Sequence, residues 1–578
     1  MEIKEKLKES IKNGLIKIGA PVVDFDVDYP ADFKNGDYST NAPLKVLGLI
    51  FHQVSKTRGK GVSTTYQVGT KIFYNPLDLA EKLVESLGKI SGINEIKIAK
   101  PGFINFFLSS DFLAKNLKEV LEQKENFGKN NRLAGKKVMV EYTDPNPFKE
   151  FHIGHLMSNA IGEALSRLIE WSGASVRRAN YQGDVGLHVA KAIWGKMRES
   201  SLSWGEAYAS GAKNYENDTR AKKEIEEINK KVFEKSDLEI NKLYDQGREE
   251  SLKRFEELYK KLGTKFDRYF FESEVAATGK KIVEDNISKG VFEKSEGAII
   301  FPGEKYGLHN RVFITSGGLP TYEAKDIALN KKKFEEEDLD LSIIITASEQ
   351  NEYFKVVLKA LEQIYPEVAE KTKHIGHGMM RLTSGKMSSR TGEVIVGESL
   401  IVEAQNLVKA KMSGRDFEKE DIGKISEEIA VAGIKYSILK QSIGRDIVYD
   451  SKQALSFEGD SGPYLQYTYV RAESVVKKAR DQKKNADLNS GADSVTTLGR
   501  LLYRFPEIVT RAGEEYSPQQ LVGYLINLAS EFNSFYAKEK IIDESDKASP
   551  QKLALTEAVS IVLRNGLEIL GIKSPERM

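Results

Sequence analysis

Two short strings carry most of the chemistry that this sequence can offer. His152-Ile153-Gly154-His155 and Lys386-Met387-Ser388-Ser389-Arg390 stand far apart in the chain. The first lies where a strand-and-turn pattern gives way to helical spacing. A helix N-terminus at that point offers free amides and positive potential, the two imidazoles add hydrogen-bond donors, and Gly154 lets a nucleotide approach closely. The set suits the phosphates of ATP. The second string follows Ser384-Gly385 and precedes Thr391-Gly392, which makes a basic, hydroxyl-rich loop. A lysine and neighbouring donors on such a loop can cover a leaving pyrophosphate in the transition state, where the contact raises turnover. The first tetrapeptide recurs at His374-Ile375-Gly376-His377. Here Gly378-Met379-Met380 follows instead of a helical repeat, so this copy reads as a strand leading to the second string, its imidazoles packed or facing solvent.

The elements that must position the first string can be read on either side of it. Residues 138–142 form an apolar run of strand length, and Asp144-Pro145-Asn146-Pro147 is a turn. Leu156, Ala160, Ala164 and Leu168 then recur at helical spacing, Gly173 closes that helix, and residues 175–179 supply a second strand. Such a βαβ unit belongs to a doubly wound sheet, whose ligands sit at the carboxyl ends of the strands. That places residues 144–155 at the mouth of a site. Within the same domain, residues 219–263 are densely charged. Two apolar stripes, Ile225, Ile228 and Val232, then Leu252, Phe255, Tyr259 and Leu262, predict a helical hairpin inserted into the sheet domain. Alternating segments at 298–301, 312–315 and 341–346 can rejoin the sheet.

The expected fold is a multidomain α/β chain: a Rossmann-type parallel-sheet catalytic domain with a helical insertion, an N-terminal α+β domain and a C-terminal all-α helical bundle. Residues 1–128 read as the small α+β domain, with a strand-like run over 96–108. A polar linker covers 129–136, the sheet domain 137–400, and the bundle 401–578, where stripes such as Ile429, Ala432, Ile434 and Ile438 repeat. Length and composition agree. A chain of 578 residues exceeds what one core supports, and 40% hydrophobic with 30% charged residues is a folded composition. Lys and Arg number 86 against 85 Asp and Glu, so the molecule is not a basic polyanion binder overall, and a nucleic acid would be met by local patches. The absence of cysteine excludes disulfides, thiolate zinc sites and cysteine nucleophiles. The first residues, MEIKEKLKES, show no signal-type apolar region, and no apolar run reaches the roughly 20 residues of a membrane helix. A cytoplasmic protein with no membrane partner is expected.

The paired strings resemble the two signatures of class I aminoacyl-tRNA synthetases, and the surrounding residues resemble arginyl-tRNA synthetases over nearly the whole chain. Residues 141–156 (EYTDPNPFKEFHIGHL) are similar to that family's strand-to-helix segment, and 180–186 (NYQGDVG) to its next loop. Residues 321–328 (TYEAKDIA) resemble its amino-acid-binding helix, and 462–467 (GPYLQY) and 574–578 (SPERM) its C-terminal domain. The resemblance implies that His152, His155, Lys149 and Lys386 take part in catalysis and that His152, Gly154, His155, Lys386, Met387, Ser388 and Ser389 bind ATP. It further implies that Glu141, Tyr322 and Asp326 hold a guanidinium, while Asn146 and Gln350 place the backbone end of arginine. A guanidinium has five donors and a permanent charge, so such a pocket needs carboxylates and other acceptors; Tyr322 and Asp326, four apart, share a helix face.

Two departures stand out. The second lysine of the general class I loop is replaced by Ser389 and then Arg390; Lys149, three residues before His152, occupies the position thought to substitute. Asp144 stands where many relatives carry a small or hydroxyl residue, either to bind the substrate ammonium or to cap the turn. For tRNA, the resemblance points to Phe103 and Asn105 in the N-terminal domain, and to Tyr464, Tyr467, Arg471 and Met578 in the C-terminal region. Aromatics beside a cation suit unstacked bases. The implied reaction joins L-arginine to tRNA(Arg) through arginyl-adenylate, with transfer to the 2′-hydroxyl of the terminal adenosine. ATP is a substrate, Mg²⁺ accompanies it, neither zinc nor another resident metal is needed, and a monomer is expected. The family also commonly needs bound tRNA before it forms the adenylate.

Overall fold

A computed structural model describes residues 2–57, 66–68, 71–73, 75–383, 396–412, 419–488 and 496–578. The loop carrying Lys386, Met387, Ser388 and Ser389 lies outside the described residues. The chain forms two compact units, and each is made of separate stretches of sequence.

One unit holds residues 128–470, 508–526 and 564–578 and contains the expected sheet. Its strands are β1 (Lys137–Glu141), β2 (Ser175–Gln182), β3 (Arg268–Phe271), β4 (Leu341–Ala347) and β5 (Thr372–His377). All neighbours are parallel, in the order β5-β4-β1-β2-β3. The chain winds outward from β1 to β3 and then returns to start β4 on β1's other side. The crevice between β1 and β4 is therefore the switch point at which open α/β sheets bind ligands. Helix α1 (Ile153–Trp171) leaves β1 toward this point. Ser158 fastens it there: its hydroxyl accepts from Thr143 N at 3.0 Å and donates to Ile345 O in β4 at 2.9 Å.

Between β2 and β3 lie α2 (Leu187–Arg198), α3 (Trp204–Asn217), α4 (Thr219–Glu234) and α5 (Leu238–Leu262). The last two are the expected hairpin, with Ile225, Ile228 and Val232 buried on α4 and Phe255, Tyr259 and Leu262 on α5. The first two were not singled out in the sequence. Helices α2 and α3 cross closely because Gly195 and Gly211 have no side chains. A Cβ on Gly211 would lie 2.0 Å from Lys191 O, and one on Gly195 would lie 2.2 Å from Ala207 O. Both obstacles are backbone and cannot rotate away. Gly211→Ala should therefore lower the unfolding midpoint by the equivalent of about 1–3 kcal/mol, read by urea titration. An unchanged midpoint would mean that the crossing is looser than described.

From β3 to β4 the chain passes through α6 (Glu272–Asp285), a three-stranded antiparallel sheet (Glu293–Ser295, Ala298–Phe301, Arg311–Ile314) and α7 (Tyr322–Glu336). The segments at 298–301 and 312–315 thus build this separate sheet, whereas 341–346 does enter the parallel sheet as β4. Helix α8 (Asn351–Ile364) links β4 to β5. After residue 400 the described elements are helices save for one strand, Ile447–Tyr449, which pairs in parallel with Met380–Leu382.

A buried polar network supports α1. Glu163, 2% exposed, accepts from Tyr142 OH at 2.6 Å and pairs with Arg167 at 2.6 Å and Arg178 at 3.0 Å. Burial opposes its charged form, but the two guanidinium groups and the tyrosine hold the carboxyl below its usual range. Arg167 continues the network to Glu568 O at 3.0 Å. Lys435, fully buried on the helix Lys419–Leu439, donates to Leu262 O and Gly571 O, each at 2.7 Å. Burial pushes its ammonium down to about 7, against the pull of Glu163. Glu163→Gln leaves Arg167 without its carboxylate partner, and Arg178 with Glu170 alone, which it meets at 2.6 Å. A loss of about 3–5 kcal/mol is expected in denaturant unfolding, and a change below 1 kcal/mol would show that water compensates.

The other unit holds residues 1–127, 471–507 and 527–563. Its four-stranded antiparallel sheet runs Val27–Asp28, Tyr38–Thr40, Phe103–Leu108 and Ile93–Ala99. The strand-like run at 96–108 is thus a hairpin of two strands. Buried Asp37 accepts from Leu108 N at 2.8 Å and pairs with Arg500 at 2.8 Å. Arg504 lies over Tyr29 at 4.1 Å and Phe33 at 4.2 Å, and Glu507 accepts from Tyr29 OH at 2.7 Å. Among the described residues no helix is long and apolar enough to cross a membrane.

Candidate active site

The loop after β1 holds an unusual backbone. Thr143, Asp144 and Phe148 all have positive φ, at 81°, 45° and 69°. Non-glycine residues enter that region at a cost that the surroundings must offset, and such strain clusters at functional sites. The restraints are visible. Asp144 Oδ1 accepts from Tyr181 N at 2.7 Å, Asn146 Oδ1 accepts from Gly183 N at 3.1 Å, and Phe148 N donates to Ser251 Oγ at 2.9 Å. The inserted helices therefore brace the loop as well as the sheet does. A Cβ on Gly247 of α5 would lie 2.3 Å from the Phe148 ring.

The loop ends on the two imidazoles. His152 is the N-cap of α1; its Nδ1 accepts from Gly154 N at 3.1 Å, while His155 Nδ1 accepts from His152 N at 3.2 Å. An accepting Nδ1 carries no proton, so the neutral rings bear theirs on Nε2. The rings stack with centroids 3.6 Å apart and planes 20° from parallel. Burial, then Lys149 and His377, lowers His152 to about 4. Burial and His152 hold His155 well below its ordinary value. Two neutral Nε2–H donors at a helix N-terminus form an electrophilic pair for phosphate oxygens without the cost of burying two cations. Lys149 adds the positive charge. Its Nζ lies 5.0 Å over the Tyr208 ring, and burial lowers its pKa.

The second tetrapeptide does form a strand, β5. His374 stacks on Phe354 at 4.1 Å and shares a 2.8 Å hydrogen bond with Thr346 Oγ1. His377 is buried, and its Nδ1 donates to Gly378 O at 2.7 Å, which leaves Nε2 free to accept. Its influence on His152 and His155 shows that the two copies face one region. Sequence spacing alone could not bring them together, because parallel pairing across the switch point does so.

A second feature of the crevice is a cavity of about 330 Å³ lined by Glu141, Asp144, Asn146, Tyr322, Asp326 and Gln350, among others. All five residues expected to hold arginine line this one cavity. Asp326 is 8% exposed and accepts from Tyr353 OH at 2.6 Å. Burial raises its carboxyl to about 7, the Tyr353 bond opposes the rise, and the fields of Glu141 and Glu272 add to it. Tyr322, 52% exposed, stands at the rim under Lys325 Nζ at 4.6 Å; burial and the field of Glu272 lift its hydroxyl to about 12. Gln350 is exposed at the end of the short turn after β4. Glu141 does not point to the cavity as a free carboxylate: fully buried Lys333 pairs with it at 2.7 Å.

Four contributors were missed from the sequence. Lys333 follows Asp326 by seven residues on α7, a same-face spacing that could have exposed it. Glu272, paired with Lys325, comes from α6 and carries no sequence signal. Tyr353 and Tyr181 likewise reach the cavity only through the fold. Among the described residues, no group of three His, Asp or Glu side chains is arranged to hold a metal ion.

The residues expected to meet tRNA are spread over both units. Phe103, 36% exposed, and buried Asn105 line one cavity beside Tyr29 and Lys100. Asn105 Oδ1 already accepts from Ser39 Oγ at 2.7 Å. Tyr464 and Tyr467 are half-buried on the helix Gly462–Asp481. Arg471, on the same helix, donates to Asn533 and lies 4.9 Å over Tyr536. Met578 is partly exposed.

Comparison with known proteins converges on one assignment. The family model for the catalytic domain of class I (R) tRNA synthetases matches residues 116–451, more than half of the chain. The models for the arginyl tRNA synthetase N-terminal domain and the DALR anticodon binding domain match residues 2–108 and 465–578. A curated arginine–tRNA ligase of Pediococcus pentosaceus is 30% identical over 512 residues, covering 87% of this chain and 91% of its own. That of Halothermothrix orenii is 28% identical and covers 100% of both. Among solved structures, arginyl-tRNA synthetase of Thermus thermophilus shares the fold at a TM-score of 0.76 and 23% identity, with 100% of both chains covered. The Plasmodium falciparum enzyme matches at 0.76 and 22%, covering 100% of this chain and 99% of its own.

Proposed function

The chain belongs to the arginyl-tRNA synthetase family of class I, and from that premise we propose how its residues divide the work. The enzyme ligates L-arginine to tRNA with ATP as co-substrate. An arginine carboxylate oxygen attacks the α-phosphorus of ATP, and the bond to pyrophosphate breaks. The terminal 2′-hydroxyl of tRNA then attacks the adenylate's carbonyl carbon and AMP leaves. Neither step requires a protein nucleophile, so the residues act by position and charge.

The observation that carries the assignment of roles is the single loop after β1, which has a carboxylate-lined cavity at its start and the neutral imidazole pair at its end. His152 and His155 donate their Nε2–H groups to phosphate oxygens, Gly154 gives the nucleotide access, and Lys149 supplies positive charge. Lys386, with Met387, Ser388 and Ser389, contributes charge and donors to the leaving pyrophosphate. Asp326 and Tyr322 hold the guanidinium; Glu141, neutralised by Lys333, orders the floor beneath it. Asn146 and Gln350 place the backbone end. Mg²⁺ accompanying ATP would supply charge neutralisation on the phosphates. Residues 1–128 meet tRNA through Phe103 and Asn105, and residues 401–578 meet the anticodon region through Tyr464, Tyr467, Arg471 and Met578. The enzyme acts as a cytoplasmic monomer.

The decisive test is aminoacylation of mixed tRNA with each of the twenty amino acids in turn. Arginine alone should be accepted; charging with another amino acid at a comparable rate would overturn the reading. ATP–pyrophosphate exchange with arginine should stay weak until cognate tRNA is added. Equal exchange without tRNA would remove the coupling and leave the ligase assignment intact.

A further inference from the structure

The amino-acid cavity has more carboxylates than cations. Five acids line it: Glu141, Asp144, Glu272, Asp326 and Glu349, the last exposed to solvent on the short turn after β4. Lys333 pairs with Glu141 at 2.7 Å, and Lys325 pairs with Glu272. Among the described residues no cation stands within ion-pairing distance of Asp144 or Asp326. With Glu349 left to solvent, two carboxylates inside the cavity are thus in excess, and L-arginine brings two cationic groups, a guanidinium and an ammonium.

The two acids come from different sides. Asp326 projects from α7 with Tyr353 bound to it. Asp144 lies on the loop after β1, two residues before Asn146. Their side chains accept from Tyr181 N and Gly183 N, alternate amides at the end of β2, so they run side by side. One Asp144 oxygen is occupied by Tyr181 and the other is free. We propose that Asp144 receives the α-ammonium of arginine while Asp326 receives the guanidinium, so that only a doubly cationic amino acid neutralises the cavity. The inference rests on the reading of this cavity as the amino-acid site. It makes Asp144 a specificity-determining residue.

The groups facing Asp144 are Glu141, Lys333 and Asp326, with Tyr181 and Tyr259 on its other sides. Burial and the field of Glu141 raise its carboxyl, opposed by the Tyr181 amide and Lys333. Both excess acids therefore tend to hold protons in the empty site, and arginine must displace them. Binding releases protons below the raised pKa values, and the release fades as pH rises above them.

Three ligands separate the contributions: arginine, agmatine, which keeps both cations, and 5-guanidinopentanoate, which lacks the ammonium. Calorimetry on the full chain at pH 6.5, in two buffers of different ionisation enthalpy, should show greater proton release with arginine than with 5-guanidinopentanoate. Equal release would overturn the proposal without recourse to any variant. Asp144→Asn keeps the acceptor for Tyr181 N and tolerates positive φ. It should weaken arginine and agmatine about 10- to 100-fold and change 5-guanidinopentanoate less than about twofold. Equal weakening of all three, or of none, would assign Asp144 to the scaffold. Asp326→Asn should weaken all three. If it weakens none, the cavity reading itself fails, an outcome distinct from failure of the ammonium assignment.

Discussion

Asp326→Asn should raise the arginine concentration for half-maximal aminoacylation by about two orders of magnitude and leave the ATP requirement nearly unchanged. The substitution keeps the shape of the side chain and an acceptor for Tyr353, so the fold is preserved. What disappears is a buried charge facing a desolvated guanidinium, and loss of such a partner costs about 2–5 kcal/mol. The same carboxyl sets a pH dependence. With its pKa near 7 in the empty site, Asp326 is mostly protonated at pH 6 and mostly ionised at pH 8. Arginine binds the ionised form, so its affinity should rise about tenfold between those values and level off above. The variant should lose the part of that slope that Asp326 supplies. Initial rates at varied arginine and fixed saturating ATP give both results; an unaltered arginine requirement would move the guanidinium site elsewhere.

The second large effect concerns turnover. His155→Ala removes an Nε2–H donor and also the acceptor that orients His152 through its backbone amide. Loss of a preorganised donor to developing phosphate charge typically lowers kcat by about 10²–10³. The arginine requirement should change little, because the cavity is built from other side chains. His155→Gln, whose amide can approach the Nε2 position, should recover part of kcat. The imidazoles are held neutral, His152 with a pKa of about 4. The rate should therefore show no imidazole titration between pH 5.5 and 8, and activity should fall only when the pH approaches 4. A kcat profile that improves on acidification through 6.5 would mean that the cationic form is the active one.

What could be read from the sequence was what depends on local spacing. The apolar run before the turn, the helical stripe after His155 and the charged hairpin are periodic, and their burial follows directly. Tyr322 and Asp326 were singled out by the resemblance of residues 321–328 to a family segment, and their shared helix face agreed with it. Glu272 and Tyr353 were hidden for the opposite reason, since each joins the cavity through packing between elements with no shared periodicity. The run at 96–108 hid a hairpin because its two strands are both apolar and the break between them is only three residues. Buried Lys435 was also invisible, because lysine in sequence signals solvent and only three-dimensional context supplies the carbonyls that keep it inside. Arg500 meets Asp37 across 463 residues, a pairing for which no local pattern exists.

The network under α1 has a temporal consequence. Arg167 is made 401 residues before Glu568, whose carbonyl it holds, and Lys435 needs both Leu262 and Gly571 to satisfy its ammonium. At about 5–20 residues per second, ribosomal synthesis leaves that helix without its full support for about 20–80 s. Nascent chains can complete the sheet and the imidazole pair early, but the clamp that fixes them closes only after the polypeptide has been extended past residue 571. Maturation of the nucleotide site is therefore tied to synthesis of residues 568–571, and products shortened before them keep the helix without these two anchors.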